Sequence, residues 1–210
     1  LAFLDGADLT GADLTGANLK LAFLGGAILT RVIGADLTDE VLKRVEENRL
    51  AAQAEAEEKR LAEEQRQKEF LNIVSSHAEK YKNAKNEIKK SLYRKKRMKA
   101  FESFLTENDL WFSNWVGKVV SMDTDKDGDA TIQIDIGGVS LNNNTRKIKL
   151  SDTLFDTIAE METGDKVFLS GRFNKHPEAL TTGWYLHTAN KTEKGAMTSP
   201  VFMVGYSDIK

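Results

Sequence analysis

The chain has 210 residues, enough for one or two compact domains. Its 32 acidic and 30 basic residues nearly cancel, which excludes a globally basic nucleic-acid-binding protein but leaves room for local basic patches. Cysteine is absent, so disulfide bonds and cysteine-ligated metals are excluded, and we expect a cytoplasmic location. No signal peptide and no apolar run long enough to cross a bilayer are visible, so we expect no membrane-spanning helix.

The first segment has a period of five residues. Leucine occupies every fifth position from 4 to 29, and alanine occupies every fifth position from 2 to 27. In an α-helix a step of five residues turns by about 140°, and in a flat strand an odd step alternates between the two faces. Only a chain that turns a corner every few residues keeps both series inside, and Gly6, Gly11 and Gly16 supply such corners.

The repeated pentad Ala-Asp-Leu-Thr-Gly, at 7–11 and 12–16, resembles the pentapeptide-repeat family, and the resemblance covers residues 1–37. It implies a short right-handed quadrilateral β-helix of fewer than two coils, with leucine and alanine inside. Some members of this family mimic DNA, but we interpret the outward Asp5, Asp8 and Asp13 as solvated side chains that hydrogen-bond the turns. Because the chain begins within a repeat, we expect further coils upstream.

The second segment, 38–107, is predicted to be a long charged helix. Residues 39–100 contain no glycine or proline, and nearly half of them are charged. We expect one helix, N-capped by Thr38, with a bend near 75–76. Within 70–92 the apolar residues follow a nearly heptad spacing, which predicts a coiled-coil seam and a homo-oligomer. The members of this seam are Phe70, Val74, His77, Tyr81, Ala84, Ile88 and Leu92.

Charge is uneven along this helix. Residues 80–99 hold ten basic residues and one acid, and they include the run Arg94, Lys95, Lys96 and Arg97. Such a segment can bind nucleic acid or an anionic membrane surface, or it can be a soluble spacer whose basic half pairs with an acidic neighbour. We favour the spacer and keep polyanion binding by these four residues as an alternative.

The third segment, 108–210, has the alternation typical of a small β domain. Strands are predicted at 116–122, 131–136, 146–150, 166–173, 181–188 and 199–206, with a short helix after Ser151 and Asp152. Three strands, a helix and further strands favour a five-stranded Greek-key barrel of the OB type, although another barrel topology would give a similar pattern. The tail from Lys194 to Phe202 is similar to a module of uncharacterised bacterial proteins, and that similarity implies no activity.

An OB barrel binds single-stranded nucleic acid or sugars through one sheet face and its loops. Candidates for such a surface are the cations Lys118, Lys149 and Arg172 and the aromatic residues Phe168 and Tyr185. The alternative is that the aromatic residues belong to the core and the cations are solvated. We favour this alternative, because the chain from residue 110 onward holds 13 acidic and 11 basic residues and has no basic stripe.

No catalytic motif, dinucleotide fingerprint or phosphate-binding loop is present, so we predict no enzyme, no cofactor and no metal site. The acidic loop Asp123–Asp129 imitates the start of an EF-hand loop, but its twelfth position is Ile134 instead of glutamate, which favours an acidic turn.

The sequence therefore predicts a multidomain α+β protein that combines a short β-helix, a long charged helix and an OB-like barrel. We expect a non-enzymatic scaffold or protein-interaction module of bacterial type. An OB-type single-stranded nucleic-acid-binding protein aided by the basic helix, and a membrane-surface adaptor, are the alternatives.

Overall fold

The computed structural model describes residues 2–19, 22, 24, 27–29, 31–33, 39–174 and 193–210. The chain forms two compact units, Leu1–Leu61 and Ala62–Lys210, which divide within one continuous helix. The predicted boundaries at residues 37 and 107 stay a prediction. No described helix is both long and apolar enough to cross a membrane.

The N-terminal repeats turn one corner every five residues. The backbone N–H of each alanine donates to the carbonyl of the leucine three residues earlier, from Ala7 with Leu4 at 3.1 Å to Ala27 with Leu24 at 3.1 Å. The glycine at the third position of the first three turns has a φ of 70°, 73° or 76°. A type II turn requires a positive φ at this position, so the glycines act as the predicted corners.

The corners stack into coils of four pentads. Asp8 lies beside Ile28, and Asp13 lies beside Ile33, in two parallel bridges. Each bridge joins positions that are four pentads apart in the chain, so four pentads complete one β-helical coil. The leucine and alanine series point inward, and the buried members are Leu19, Ala22, Leu24 and Ala27.

The first turns of the following helix belong to the same unit as the repeats. The Arg44 guanidinium donates to the carbonyls of Leu19 at 3.3 Å and Ala22 at 2.9 Å. Val45, one residue further on, packs against the leucine and alanine core. These contacts satisfy two backbone carbonyls of the coil and extend its core by one apolar side chain.

The helical segment contains two helices. Helix α1 spans Asp39–Lys82 and helix α2 spans Glu87–Glu107. The single helix expected over this segment is wrong, because the chain breaks after Lys82, whereas the bend near 75–76 stays a prediction. The residue that marks the start of the second helix is Asn86. Its side chain accepts a hydrogen bond from a first-turn backbone N–H of α2 at 2.9 Å and thereby caps this helix.

Five strands close into a barrel in the order β1-β2-β3-β5-β4. Neighbouring strands are antiparallel, except for the parallel pair β3 and β5. Helix α3 lies between β3 and β4 in the chain, and helix α4 precedes β5. The bounds are β1 Trp111–Thr124, β2 Ala130–Asp135, β3 Ser140–Asn142, α3 Thr153–Ala159, β4 Lys166–Phe173, α4 Glu193–Thr198 and β5 Val201–Ile209.

Both long helices contribute to the core of the barrel unit. Phe70 of α1 is fully buried, and its ring centre lies 5.1–5.8 Å from those of five other aromatic residues. These residues come from α2, β1, β4 and β5, and they are Phe101, Phe104, Trp115, Phe173 and Phe202. One side chain of α1 therefore joins the helices to the barrel.

This packing uses the first half of the predicted coiled-coil seam. Phe70 and Val74 are buried in the core of the barrel unit, whereas Ile88 is 83% exposed. The seam is also interrupted between α1 and α2. The homo-oligomer through 70–92 stays a prediction.

The strands differ from the sequence prediction at the third strand. The third barrel strand is Ser140–Asn142, whereas the segment predicted at 146–150 makes one isolated antiparallel bridge, between Ile148 and Ala130. The alternation at 146–150 has another cause, because Ile148 is buried and Lys147 and Lys149 form ion pairs. The strand predicted at 181–188 lies outside the described residues.

Candidate binding face of the barrel

Strands β1 and β4 form one outer face of the barrel. Along β4 the odd-numbered side chains Val167, Leu169 and Phe173 are buried, so the even-numbered ones point outward. The outward residues of the two strands lie opposite each other. They are Trp111 with Arg172, Val116 with Phe168, and Lys118 with Lys166, and we call these six residues the β1–β4 face.

Two half-exposed aromatic rings lie on the β1–β4 face. Trp111 and Phe168 are each 46% exposed. The guanidinium carbon of Arg172 is 6.0 Å from the Trp111 ring centre, and Lys166 Nζ is 5.7 Å from the Phe168 ring centre. Because Phe168 and Arg172 are four residues apart on β4, the two aromatic–cation pairs are about 13 Å apart.

The cations of this face form few close ion pairs, although Asp135 of β2 lies opposite Lys118. Lys118 and Lys166 lie directly opposite each other, an arrangement of like charges that destabilises a sheet. Within the described parts of the chain, neither lysine forms an ion pair with a carboxylate. Arg172 lies 3.9 Å from Asp109, whose carboxylate is 87% exposed, and such exposed pairs stabilise a protein weakly. The face therefore retains positive charge.

Trp111 follows a turn with an unusual backbone. Helix α2 ends in a Schellman motif, in which the N–H of Leu110 donates to Leu105 at 2.8 Å and that of Asp109 donates to Thr106 at 3.2 Å. Asp109 has a φ of 47° and Leu110 a φ of 65°, values that cost a non-glycine residue about 1–3 kcal/mol each. Leu110 packs on the core, and this contact helps to maintain the turn that presents Trp111.

Helix α1 fixes the first half of β1. The buried side-chain amide of Gln67 donates to the carbonyl of Val116 at 2.7 Å and accepts from its N–H at 2.9 Å. Arg66 Nη2 donates to the carbonyl of Trp111 at 2.9 Å. Pairing between β1 and β2 starts only at Lys118, so α1 satisfies peptide groups of β1 that β2 does not reach.

The predicted polyanion-binding residues of the barrel lie in different places. Lys118 and Arg172 belong to the β1–β4 face, and Phe168 lies beside them on the surface instead of in the core. Lys149 is outside this face, and its ammonium donates to the carboxylate of Asp129. Tyr185 lies outside the described residues.

The residues of the predicted basic run on α2 lie on different faces of the helix, and they differ in burial. Arg97 is 2% exposed, and its guanidinium donates to the carbonyls of Met197 at 3.2 Å and Ala196 at 2.7 Å. Burial lowers the pKa of Arg97 from its usual value to about 10. Its expected role as an exposed polyanion contact is therefore wrong, because it lies on the same helix face as Phe101 and Phe104.

The other residues of this run lie closer to the surface. Lys95 and Lys96 are exposed, and Arg94 is half-buried. Nucleic-acid or membrane binding by these three residues stays a prediction.

The acidic loop between β1 and β2 is an ion-paired turn. The Asp125 carboxylate accepts from the N–H of Asp127 at 2.8 Å and of Asp129 at 3.0 Å, and from Lys147 Nζ at 2.6 Å. The hydrogen bond from Lys147 is the main reason why the pKa of Asp125 is lowered to about 2. Lys147 and Lys149 form ion pairs with Asp125 and Asp129, whose carboxylates would be needed to bind a metal cation. Among the described residues, no cluster of acidic or histidine side chains has the arrangement of a metal site.

Trp111 and Lys166 were not predicted from the sequence as site residues. Lys166 was detectable, because it precedes Phe168 by two residues on a predicted strand and must share its face. Trp111 was not, because β1 contains a bulge between Phe112 and Trp115. A strict alternation counted back from Val116 places Trp111 inside the barrel, and the extra residue of the bulge reverses this assignment.

Comparison with known proteins assigns residues 2–31 to a family and finds no match for the barrel unit. Residues 2–31 match the family described as pentapeptide repeats (8 copies), which confirms the resemblance seen in the sequence. No curated protein and no solved structure matches the chain. Residues 2–31 are therefore a pentapeptide-repeat segment, and this class of segment suggests a structural or protein-interaction module.

Proposed function

We propose that this chain is a non-enzymatic interaction protein that binds a macromolecular partner through the β1–β4 face. The observation that carries the proposal is the pair of half-exposed rings, Trp111 and Phe168, among three cations on one sheet face. Tryptophan and arginine are enriched among the residues that dominate binding energies at interfaces. The pentapeptide repeats supply the structural or protein-interaction module of the same chain.

We also propose a specific fold for each unit, a right-handed four-sided β-helix for the repeats and an OB-type barrel for the second unit. The two parallel bridges, each between positions four pentads apart, support the four-sided β-helix, and the family match supports its right-handed form. The strand order, the parallel pair β3 and β5, and the position of α3 between β3 and β4 support a barrel of the OB type. OB barrels are binding modules in many proteins, which agrees with a role in recognition.

A selection experiment tests the proposed function without assuming the class of partner. The full chain is immobilised and used to select ligands from a random peptide library and from a random oligonucleotide pool. We expect the selected ligands to lose affinity for the double variant Trp111→Ala, Arg172→Gln, and to keep it for Leu150→Ala, whose side chain is 63% exposed and lies outside the face. Ligands that bind the double variant as tightly as the parent would refute a role for this face.

A further inference from the structure

The surface that OB barrels most often use is chemically poor in this chain. In that fold, the face of the second and third strands binds oligonucleotides and oligosaccharides. Here the half-buried residues on that part of the sheet carry no aromatic or basic side chain. They are Thr131, Gln133, Asp135, Ser140 and Asn142. The exposed aromatic and basic side chains are instead concentrated on the β1–β4 face.

We propose that the β1–β4 face binds single-stranded nucleic acid. This inference rests on the proposed function and names its ligand class. Phe168 and Trp111 are the stacking platforms for two bases. Lys118 and Lys166 neutralise a phosphate at the Phe168 end of the face, and Arg172 neutralises one at the Trp111 end. Proteins that bind single strands combine the same two elements, a cationic track and exposed rings.

The opposed lysines indicate an anionic ligand. Lys118 and Lys166 repel each other across the strand pair, and neither forms a close ion pair with a described carboxylate. Asp135 of β2 lies opposite Lys118 on the other side of β1, but its carboxylate accepts hydrogen bonds from the N–H groups of Gly137 and Gly138 at 2.9 Å. A phosphate bound between them replaces the repulsion with two attractions. The lysines lie next to Phe168, so a phosphate at this position places the attached nucleotide beside an exposed ring.

The distance between the rings favours a single strand over a duplex. Trp111 and Phe168 are about 13 Å apart along the sheet, whereas stacked neighbours in a duplex strand are about 3.4 Å apart. The two rings therefore hold bases that are not stacked on each other, which an extended single strand provides. A duplex keeps its bases paired and stacked, so it can use the cations of this face but not the rings.

A protein partner fits the face less well. Lysine is depleted at protein–protein interfaces, yet Lys118 and Lys166 form adjacent cross-strand neighbours at one end of this face. The acidic groups beside the face have other partners. Asp135, opposite Lys118, accepts from the N–H groups of Gly137 and Gly138 at 2.9 Å. Asp109 lies beside Arg172, and Asp208 of β5 pairs with Lys210 at 2.8 Å.

Fluorescence anisotropy with the full chain tests the inference. The probes are a labelled oligothymidylate of about 12 nucleotides, a duplex of the same length and a labelled polyglutamate peptide. We expect the single strand to bind best, with an affinity that falls as salt rises. Phe168→Ala is expected to weaken this binding about 5- to 150-fold, the equivalent of one lost stacked base.

Three further variants separate stacking from other effects. Phe168→Leu keeps an apolar side chain but removes the ring, so it is expected to weaken binding as Phe168→Ala does. Lys118→Gln is expected to make the dependence of affinity on salt less steep by about one phosphate contact. Leu150→Ala is the matched control, with an exposed apolar side chain outside the face, and it is expected to bind as the parent does.

Four outcomes would overturn the inference. Equal binding of duplex and single strand would show that only charge is recognised, and full binding by Phe168→Leu would exclude stacking. Preferential binding of polyglutamate that is lost in Phe168→Ala would indicate an acidic protein partner, and would sink the nucleic-acid inference while the proposed function stands. No binding of any probe would overturn the inference, and the proposed function would then depend on the ligand selection.

Discussion

The two units of this chain build their cores in opposite ways. In the pentapeptide-repeat unit each coil buries the same two residue types, and bridged residues are four pentads apart, so the core is a stack of local contacts. In the barrel unit Phe70 contacts Phe202, which is 132 positions away in the chain (202 minus 70). A stack of local contacts can unfold in one part while the rest stays folded, whereas a core assembled from distant segments is expected to unfold cooperatively.

The largest expected effect is that of Phe70→Ala. This variant empties the centre of the aromatic cluster, and we expect it to reduce the free energy of unfolding of the barrel unit by about 3–5 kcal/mol. Chemical denaturation followed by tryptophan fluorescence measures this change, and Leu61→Ala, at an exposed position of α1, is the control. A change below about 1 kcal/mol would mean that α1 is not part of the barrel core.

Leu24→Ala tests the same property in the repeats. Leu24 is 1% exposed, so its truncation is expected to reduce the local stability of the coils by about 2–4 kcal/mol. Hydrogen exchange should speed up at the bridging amides of Leu9 and Ile28 and stay unchanged in the barrel. Faster exchange throughout the barrel would show that the two units unfold together.

Gln67→Ala tests the role of α1 as a partner for β1. The variant leaves the N–H and carbonyl of Val116 without their side-chain partners, and we expect a loss of about 1–3 kcal/mol in the stability of the barrel unit. Gln65→Ala, two residues earlier and exposed, is the matched control and should change stability by less than about 0.5 kcal/mol. Equal effects of the two variants on the denaturation midpoint would refute this role.

Asp109→Gly is expected to stabilise the barrel unit. Glycine adopts the left-handed conformation of the Schellman turn without the strain of a side chain, so we expect a gain of about 0.5–1 kcal/mol. The variant also removes the carboxylate beside Arg172, and single-strand binding should therefore become tighter. A lower melting temperature together with weaker binding would contradict the description of this turn.

Asp125→Asn gives the smallest expected effect, because its ion pair with Lys147 is partly exposed. The folded-state pKa of Asp125 is about 2, below its ordinary value of 3.8, so its contribution to stability is complete above that value and is lost as pH falls to about 2. The difference in melting temperature between parent and variant should be constant above about pH 5 and disappear near pH 2. A difference that does not change with pH would contradict this assignment, and Asp127→Asn, at a more exposed carboxylate, is the control.

The sequence predicted elements well where one local signal decided the structure. The period of five led to the β-helical coil, and the strand at 166–173 was predicted with its observed bounds. The prediction failed where a distant partner decided the role of a residue. Arg97 belonged by sequence to a basic surface run, but the carbonyls of Ala196 and Met197 in α4, far along the chain, hold it inside.

The sequence by itself determined the pentapeptide coil, the helical nature of the charged segment and the solvated position of Lys118 and Arg172, whereas it favoured a core position for Phe168. These features follow from periods of five, about 3.6 and two residues, which the backbone geometry imposes locally. The tertiary structure decided that Trp111 joins them, because a bulge in β1 reverses its face and the turn packed on the core presents it. The tertiary structure also brought Lys118 opposite Lys166. Closure of the whole barrel sets the register of the strands, and a local sequence pattern carries no information about this closure.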